Sequence, residues 1–186
     1  MIKKIKKLVL PLMIICVIIM QAGCKNNEPE SKSNPANVVV TVAGQNIKLT
    51  EIDAEKDTLI DRKIDEDIDF EMEKSIFLPL LKDEKGSSVN LGNIIEITFA
   101  DTEQIDRIVL YDHLLQENGT SCFNRMILEY ELELNDNKAT FELIQHISCV
   151  FASSTEFLKD GSIRGFRLVM RSGGNISEYA FVIYVK

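Results

Sequence analysis

The stretch FRLVMRSGGNISEYAFVIYV, residues 166–185, decides the fold class of this chain. Apolar side chains alternate with other residues on both sides of a glycine pair, and strict alternation is typical of β-strands that bury one face. The alternating apolar residues are Phe166, Leu168 and Met170 before the glycines and Tyr179, Phe181, Ile183 and Val185 after them. Because Gly173 and Gly174 lie between the two runs, we predict a β-hairpin that turns at residues 172–175.

The same alternation recurs upstream. It involves Ile95, Ile97 and Phe99 in one segment and Met126, Leu128, Tyr130, Leu132 and Leu134 in another. Turn residues separate the segments, namely Asn118-Gly119, Asn135-Asp136-Asn137 and Asp160-Gly161. Short strands with frequent turns predict a mainly β domain, an antiparallel β-sandwich of the immunoglobulin-like kind. The chain has no tryptophan, so it lacks the aromatic core residue of antibody domains.

The first half of the domain has a weaker pattern. Residues 38–50, VVVTVAGQNIKLT, predict two short strands that turn at Gly44-Gln45. The spacing of Thr50 and Asp53 matches a capping box, which predicts one short helix over about residues 51–62. Residues 65–74, DEDIDFEMEK, alternate acidic with apolar side chains, and this pattern predicts an edge strand protected by charge.

The N-terminus has the three parts of an export signal. Four lysines precede an apolar run over residues 8–20, and small residues follow it. A membrane-spanning helix needs about 20 apolar residues, so this run is short for an anchor. A buried amphipathic helix would show a polar face, which residues 8–20 lack. We therefore predict a secretory signal.

Ala22-Gly23-Cys24 resembles the lipobox that ends a bacterial lipoprotein signal, although Gln21 stands where the family usually has leucine. The resemblance implies that the thiol of Cys24 is alkylated with diacylglycerol and that the chain is cut before it. Residues 1–23 would then be a lipoprotein signal peptide, and residues 24–37, rich in asparagine and proline, a flexible tether. Residues 38–186 would be an extracytoplasmic domain held at the cell membrane by the lipid.

Charge restricts the partners of the mature chain. The sequence has 21 basic and 29 acidic residues, and residues 1–23 contain four of the basic and none of the acidic ones. The mature chain would therefore have 17 basic residues against 29 acidic ones, a net charge of −12. Such a charge argues against nucleic acid as a partner and against contact with anionic lipid along a whole face.

A second resemblance covers roughly residues 78–186. GNIIEITF (92–99) and IRGFRLVMRSGGNISEYAFVI (163–183) resemble the C-terminal region of an uncharacterised family of small lipoproteins from Gram-positive bacteria. The resemblance supports the same location. It implies no activity, so no catalytic residue is carried over to this chain.

Two cysteines remain in the domain, Cys122 and Cys149. In an exported protein they can form a disulfide, which would stabilise the fold by ~3 kcal/mol. The alternative is a pair of small buried apolar side chains. A nucleophilic cysteine would need a basic partner, and His113 and His146 are the two histidines of the chain.

We predict no metal site, no cofactor and no catalytic set. Asp65, Asp67 and Asp69 are spaced like the start of a calcium loop, but Phe70 and Ile76 occupy the positions that need glycine and glutamate. The acidic stretch 65–73 could hold calcium only as an opportunistic ligand. The common hydrolase, zinc and nucleotide motifs are absent from the sequence.

Arg167 and Arg171 would share one face of a strand. They could hold a carboxylate or phosphate group, but cross-strand pairing with Glu129, Glu131 or Glu178 is the commoner use of such arginines.

Two classes of function remain open from the sequence. The first is a membrane-anchored, non-enzymatic module that binds a cell-envelope protein, a glycan or a small solute through the loops 116–123 and 151–161. The second is a hydrolase or thiol-dependent enzyme with a site assembled from scattered residues. The small number of histidines and cysteines favours the first class.

Overall fold

The computed structural model describes residues 38–52, 70–83, 88–100, 102, 105–123, 126–151 and 161–186. The predicted signal peptide and tether, residues 1–37, lie outside the described residues. In chain order the described elements are β1 (Val38–Val42), β2 (Gln45–Ile47), β3 (Thr50–Ile52), α1 (Phe70–Asp83), β4 (Ser88–Val89), β5 (Ile94–Phe99), β6 (Ile105–Leu115), β7 (Leu128–Glu131), β8 (Lys138–Glu142), α2 (Ser148–Phe151), β9 (Ser162–Ser172) and β10 (Asn175–Val185).

The strands form two sheets. The small sheet has the order β2-β1-β5-β8, and the large sheet has the order β3-β10-β9-β6-β7. Neighbouring strands in both orders are antiparallel, and the short strand β4 adds a parallel pair with the end of β10. The predicted antiparallel β-sandwich is therefore confirmed, while its immunoglobulin-like topology stays a prediction.

The hydrophobic core lies between the two sheets. It contains the alternating positions predicted on β5, β9 and β10, together with residues of β6 and β8, strands that were not predicted. The small sheet contributes Val40, Val42, Ile95, Ile97, Phe99, Ala139 and Phe141, and the large sheet contributes Ile108, Leu110, Phe166, Leu168, Met170, Tyr179, Phe181 and Ile183. Burial of a large apolar side chain contributes about 1.5–3 kcal/mol. The rings of Phe166 and Phe181 stack with centroids 4.9 Å apart at the centre of this core.

Helix α1 covers the opposite face of the large sheet and makes a third layer. Phe77 and Leu80 pack there against Leu115, Ala180 and Val182. The strand β10 therefore buries side chains on both of its faces, which explains why apolar residues occupy consecutive positions along it.

The position of α1 corrects one prediction. The edge strand predicted for residues 65–74 is wrong over residues 70–74, which are helical, and residues 65–69 lie outside the described part. The buried residues of the helix are Glu73, Phe77 and Leu80, a spacing of four and three that fits a helix face. This longer period outweighs the local alternation of Phe70 and Met72.

The predicted capping box is also wrong where it can be compared. Residues Thr50–Ile52 form strand β3, which pairs with β10, and they do not form the first turn of a helix. The backbone N–H and C=O groups of β3 are hydrogen-bonded by pairing with β10, so this segment does not need the hydrogen bonds of a helix cap. The remainder of the predicted helix, residues 53–62, lies outside the described residues.

The β9–β10 hairpin is confirmed. Ser172 and Asn175 are partners across the turn, and Gly173 and Gly174 have φ angles of 54° and 88°. A two-residue turn of this kind needs positive φ at both positions, which glycine adopts at no steric cost.

Gly165 sets the distance between α1 and the large sheet. A Cβ atom at this position would lie 2.5 Å from Cδ1 of Leu115 and 2.8 Å from Cε1 of Phe77. We expect Gly165→Ala to lower the free energy of unfolding by about 1–3 kcal/mol, because the core side chains would have to move. Urea unfolding would measure this loss. In a Leu115→Ala background the same change should cost less, and strictly additive losses would contradict the steric explanation.

Candidate interaction surface

One edge of β6 brings together segments that are distant in the sequence. The amide of Leu132 donates to the carbonyl of Ile108 at 2.9 Å, and the amide of Cys122 donates to the carbonyl of Leu114 at 2.7 Å. Between them, Nε2 of His146 lies 3.1 Å from the carbonyl oxygen of Asp112. Carbonyls two residues apart point to the same side of a strand. The side chain of His146 therefore bonds the edge of β6 that faces β7, at the residue whose partner on β7 is Leu128.

The hydrogen bonds of His146 fix its tautomer. The amide of Ser148 donates to Nδ1 at 3.1 Å, so Nδ1 carries no proton and Nε2–H donates to Asp112. Burial lowers the pKa of His146, which keeps the ring neutral. Both nitrogens are thus occupied, and neither is free to accept a proton from the nearby Cys149.

A buried ion pair lies beside this histidine. Nε of Arg164 donates to Oδ1 of Asp112 at 2.7 Å, and Nη2 donates to Oδ2. The remaining Nη1 donates to the carbonyl of Ile144 at 3.0 Å, and the guanidinium lies 5.7 Å from the ring centre of Phe166. Arg164 therefore joins β6 and β9 to the segment that follows β8.

In the segment 144–151, which these contacts hold, two polar side chains are buried and four large apolar side chains are exposed, the reverse of the usual distribution. His146 and Ser148 are buried, whereas Ile144, Ile147, Val150 and Phe151 are exposed. Val150 and Phe151 expose 73% and 57% of their surface. Single exposed apolar residues are ordinary, but a group of them on one segment is typical of an interaction site.

A neighbouring turn adds to this group. Leu143 exchanges backbone hydrogen bonds with Gly92 and Asn93, at 2.8 and 2.9 Å, which places Leu91 and Ile94 next to Ile144. Both are half-exposed. We define the apolar patch as Leu91, Ile94, Ile144, Ile147, Val150 and Phe151.

The two cysteines lie at the same end of the sandwich. Burial raises the pKa of the Cys122 thiol to about 11, and the nearby Cys149 adds to the shift. Burial also raises the pKa of Cys149. With their pKa values raised in this way, the two thiols are protonated near neutral pH and are weak nucleophiles in that form. The disulfide between them stays a prediction. The interaction of the thiols places the loop 116–123 beside α2. Of the second predicted loop, 151–161, residues 152–160 lie outside the described part of the chain.

The sequence did not predict a third buried cluster, which consists of Glu73, His113 and Ser121. Nδ1 of His113 lies 2.8 Å from Oε1 of Glu73. Ser121 donates to the same carboxylate through its hydroxyl at 2.9 Å and its amide at 3.1 Å. Burial alone would raise the pKa of Glu73, but the hydrogen bonds and charge of His113 and the bonds of Ser121 lower it overall. The residues are too far apart in the chain for any spacing motif to connect them.

These residue types occur in serine hydrolases, but the geometry differs. In a catalytic triad the serine and the carboxylate contact opposite nitrogens of the histidine. Here the hydroxyl of Ser121 and the carboxylate of Glu73 both lie at Nδ1 of His113, at 3.2 and 2.8 Å. The other nitrogen is buried and has no hydrogen-bond partner in the described structure. The cluster therefore attaches α1 to the loop 116–123.

The structure decides between the two roles considered for Arg167, binding of an external anion and pairing with a glutamate on a neighbouring strand. It forms a buried ion pair with Glu178 on the neighbouring strand, which confirms the cross-strand pairing predicted for it. The other proposed carboxylates, Glu129 and Glu131, lie 3.7 and 3.0 Å from nitrogens of Arg107. A buried arginine with its own counter-ion is not available to an external anion.

Among the residues described, no three His, Cys, Asp or Glu side chains are placed to hold a metal ion. The acidic positions Asp65, Asp67 and Asp69 lie outside that set. Neither described helix is long and apolar enough to cross a membrane.

No protein-family model matches this chain, and no curated protein sequence matches it.

Proposed function

We propose that this protein is a lipoprotein attached through Cys24 to the extracytoplasmic face of the cell membrane, where its β-sandwich acts as a non-enzymatic binding module. The observation that carries the binding function is the apolar patch. It is a group of large apolar side chains that are exposed, while His146 and Ser148 in the same segment are buried.

Polar contacts hold the segment that carries Ile144 and Ile147 of the patch. The carbonyl of Ile144 accepts from Arg164, and His146 is hydrogen-bonded on both sides between Ile144 and Ser148. A surface fixed before binding loses less conformational freedom when a partner arrives, and this raises affinity. A rigid segment with exposed apolar side chains fits recognition of a partner better than it fits solvation.

The alternative, a hydrolase or thiol-dependent enzyme, has less support. His146 uses both ring nitrogens in structural hydrogen bonds, and the thiol of Cys122 has a pKa raised to about 11. The Glu73–His113–Ser121 cluster is buried, and its serine and carboxylate compete for one nitrogen.

An immunoglobulin-like topology is part of the proposal. In that fold strands B and E are neighbours in one sheet, and strands C, F and G are neighbours in the other. The pairing of β5 with β8, and of β9 with both β6 and β10, supports the same arrangement. By the same assignment α2 lies between strands E and F and the loop 116–123 follows strand C, so the proposed surface differs from the B–C and F–G loops that antibody variable domains use.

A photocrosslinking amino acid tests the binding function in cells that make the full-length protein. We expect a probe at Val150 to give an adduct with a partner, because this side chain is the most exposed of the patch. The matched control is Val39, an exposed valine on the outer face of β1. Ile147→Ser should abolish the adduct formed from position 150. Equal adducts from positions 39 and 150, or none from either, would contradict the proposal.

A further inference from the structure

We infer that the free edge of β8 accepts an extended segment of a partner protein as an added antiparallel strand. The added strand carries apolar side chains at alternate positions. This pairing rests on the proposed binding function, and it specifies which kind of partner is bound and how its backbone is held.

The backbone of β8 leaves hydrogen-bonding groups unpaired on one side. The carbonyl of Asn137 and the amide of Leu143 both bond toward β5 and the turn before it. Because groups two residues apart point to the same side of a strand, the even-numbered residues of β8 point away from β5. At Lys138 these groups bond the backbone of the preceding turn. In the described part of the chain β8 pairs with β5 alone, so the N–H and C=O groups of Thr140 and Glu142 remain open to another strand.

This edge lacks the features that normally protect an edge strand, which are short length, proline, a bulge or a lysine side chain. β2 and β3 have three residues and β7 has four, whereas β8 has five residues, contains no proline and pairs with β5 in continuous register. Nζ of Lys138 lies 2.9 Å from Oε1 of Glu96, so this lysine is directed back over β5. Among the described edges, β8 is therefore the most open to pairing.

The rim of the core beside β8 determines which side chains an added strand needs. The ring of Tyr130 on β7 lies 4.5 Å from the ring of Phe141, and Tyr130 and Leu132 are partly buried against the core. Directly opposite residues of an antiparallel pair share one face of the sheet. Residues opposite Thr140 and Glu142 would therefore lie on the outer face, and those between them would point to this rim. Apolar side chains at the rim positions would leave water, which favours binding.

The free edge also continues into the apolar patch. Ile144 follows β8 by two residues, and Ile94 is the cross-strand partner of Glu142. A strand that extends past Glu142 therefore reaches exposed apolar side chains. A second copy of the chain fits this edge less well. Antiparallel pairing through Thr140 and Glu142 would place the two Glu142 carboxylates diagonally on one face, and each mature lipoprotein would carry a net charge of −12.

The test measures binding of a short fluorescent peptide of alternating valine and threonine to the full-length protein in nanodiscs. With its valines toward the rim, the threonine amides of the peptide point to β8 and the valine amides point away. We therefore expect N-methylation of the threonines to weaken binding at least about tenfold and N-methylation of the valines to change it little. Fluorescence anisotropy gives the dissociation constants.

A matched pair of proline variants tests the same pairing from the protein side. Thr140→Pro removes an amide that points away from β5, so it spares the small sheet and should weaken binding of the unmodified peptide at least about fivefold. Asn46→Pro is the control on β2, at the other edge of the small sheet, and should leave binding unchanged. Asn46 follows Gln45, which closes the β1–β2 turn, so its amide also points away from its neighbour. Urea unfolding checks that both variants fold, and the methylated peptides test the pairing on the wild-type protein.

The outcomes separate strand addition from the proposed function. Strand addition is wrong if methylation of the threonines weakens binding no more than methylation of the valines. It is also wrong if the two proline variants bind alike, or if the unmodified peptide binds more weakly than about 1 mM. An adduct from position 150 that Ile147→Ser abolishes would then leave the binding function standing. A dimer in sedimentation experiments that Thr140→Pro dissociates would identify a second copy as the occupant and would overturn the inference.

Discussion

Replacing Arg164 by alanine is expected to lower the free energy of unfolding by about 3–5 kcal/mol. The change leaves the carboxylate of Asp112 buried without its counter-ion and removes the donor that the carbonyl of Ile144 accepts from. An uncompensated buried charge costs far more than a lost surface contact. Urea unfolding of the purified protein measures the loss, and the apolar patch should become mobile with it.

The matched control is Arg107→Ala. Arg107 also pairs with carboxylates, but its side chain is 42% exposed, so its removal should lower the free energy of unfolding far less than Arg164→Ala does. Changing Asp112 and Arg164 together to leucine and methionine should recover much of the stability, because no buried charge remains. If Arg164→Ala and Arg107→Ala lower stability equally, the Asp112–Arg164 pair is not the buried support described above.

Replacing Cys24 by alanine is expected to abolish attachment of fatty acid to the protein. The alanine has no thiol to alkylate, and buried acyl carbons contribute ~0.8 kcal/mol per methylene to membrane attachment. Growth with labelled palmitate should label the wild-type protein and leave the variant at background. Detergent partition should move from the detergent phase toward the aqueous phase.

Cys122→Ala is the control for this experiment. It removes a thiol of the folded domain and should leave labelling and partition as in the wild type. Labelling that persists in the Cys24 variant, or partition that is the same for both variants, would show that the lipoprotein proposal is wrong.

The sandwich could be predicted because its core follows a local rule. Ile95, Ile97 and Phe99 on β5 alternate with polar residues, and all three are completely buried. Helix α1 could not be predicted in the same way. The spacing of Phe70 and Met72 is that of a strand, whereas the helix packs Phe77 closely against Gly165 on the large sheet. Phe77 and Gly165 are far apart in the sequence, so local periodicity does not reveal this contact.

The candidate site, like the fold, could be predicted only in part. Turn residues and loop length pointed to the segments 116–123 and 151–161, and the structure brings Cys122 and α2 to the same end. The apolar patch itself could not be predicted. Val150 is exposed because His146 points inward to Asp112, 34 positions away, and Asp112 in turn holds Arg164, 52 positions further on. Single-sequence patterns report periodicity over a few residues, whereas these polar contacts depend on the finished fold.

Strand β10 has a consequence for biosynthesis. It is hydrogen-bonded to β9 along one edge and to β3 and β4 along the other, and its side chains supply both the sandwich core and the layer beneath α1. Neither layer can close until residues 175–185 have been synthesised. A nascent chain that lacks them remains an open polymer, and an open polymer can be threaded through a narrow translocation channel. In the lipoprotein proposed above, late completion of the core would keep the chain competent for export until nearly all of the described domain has been made.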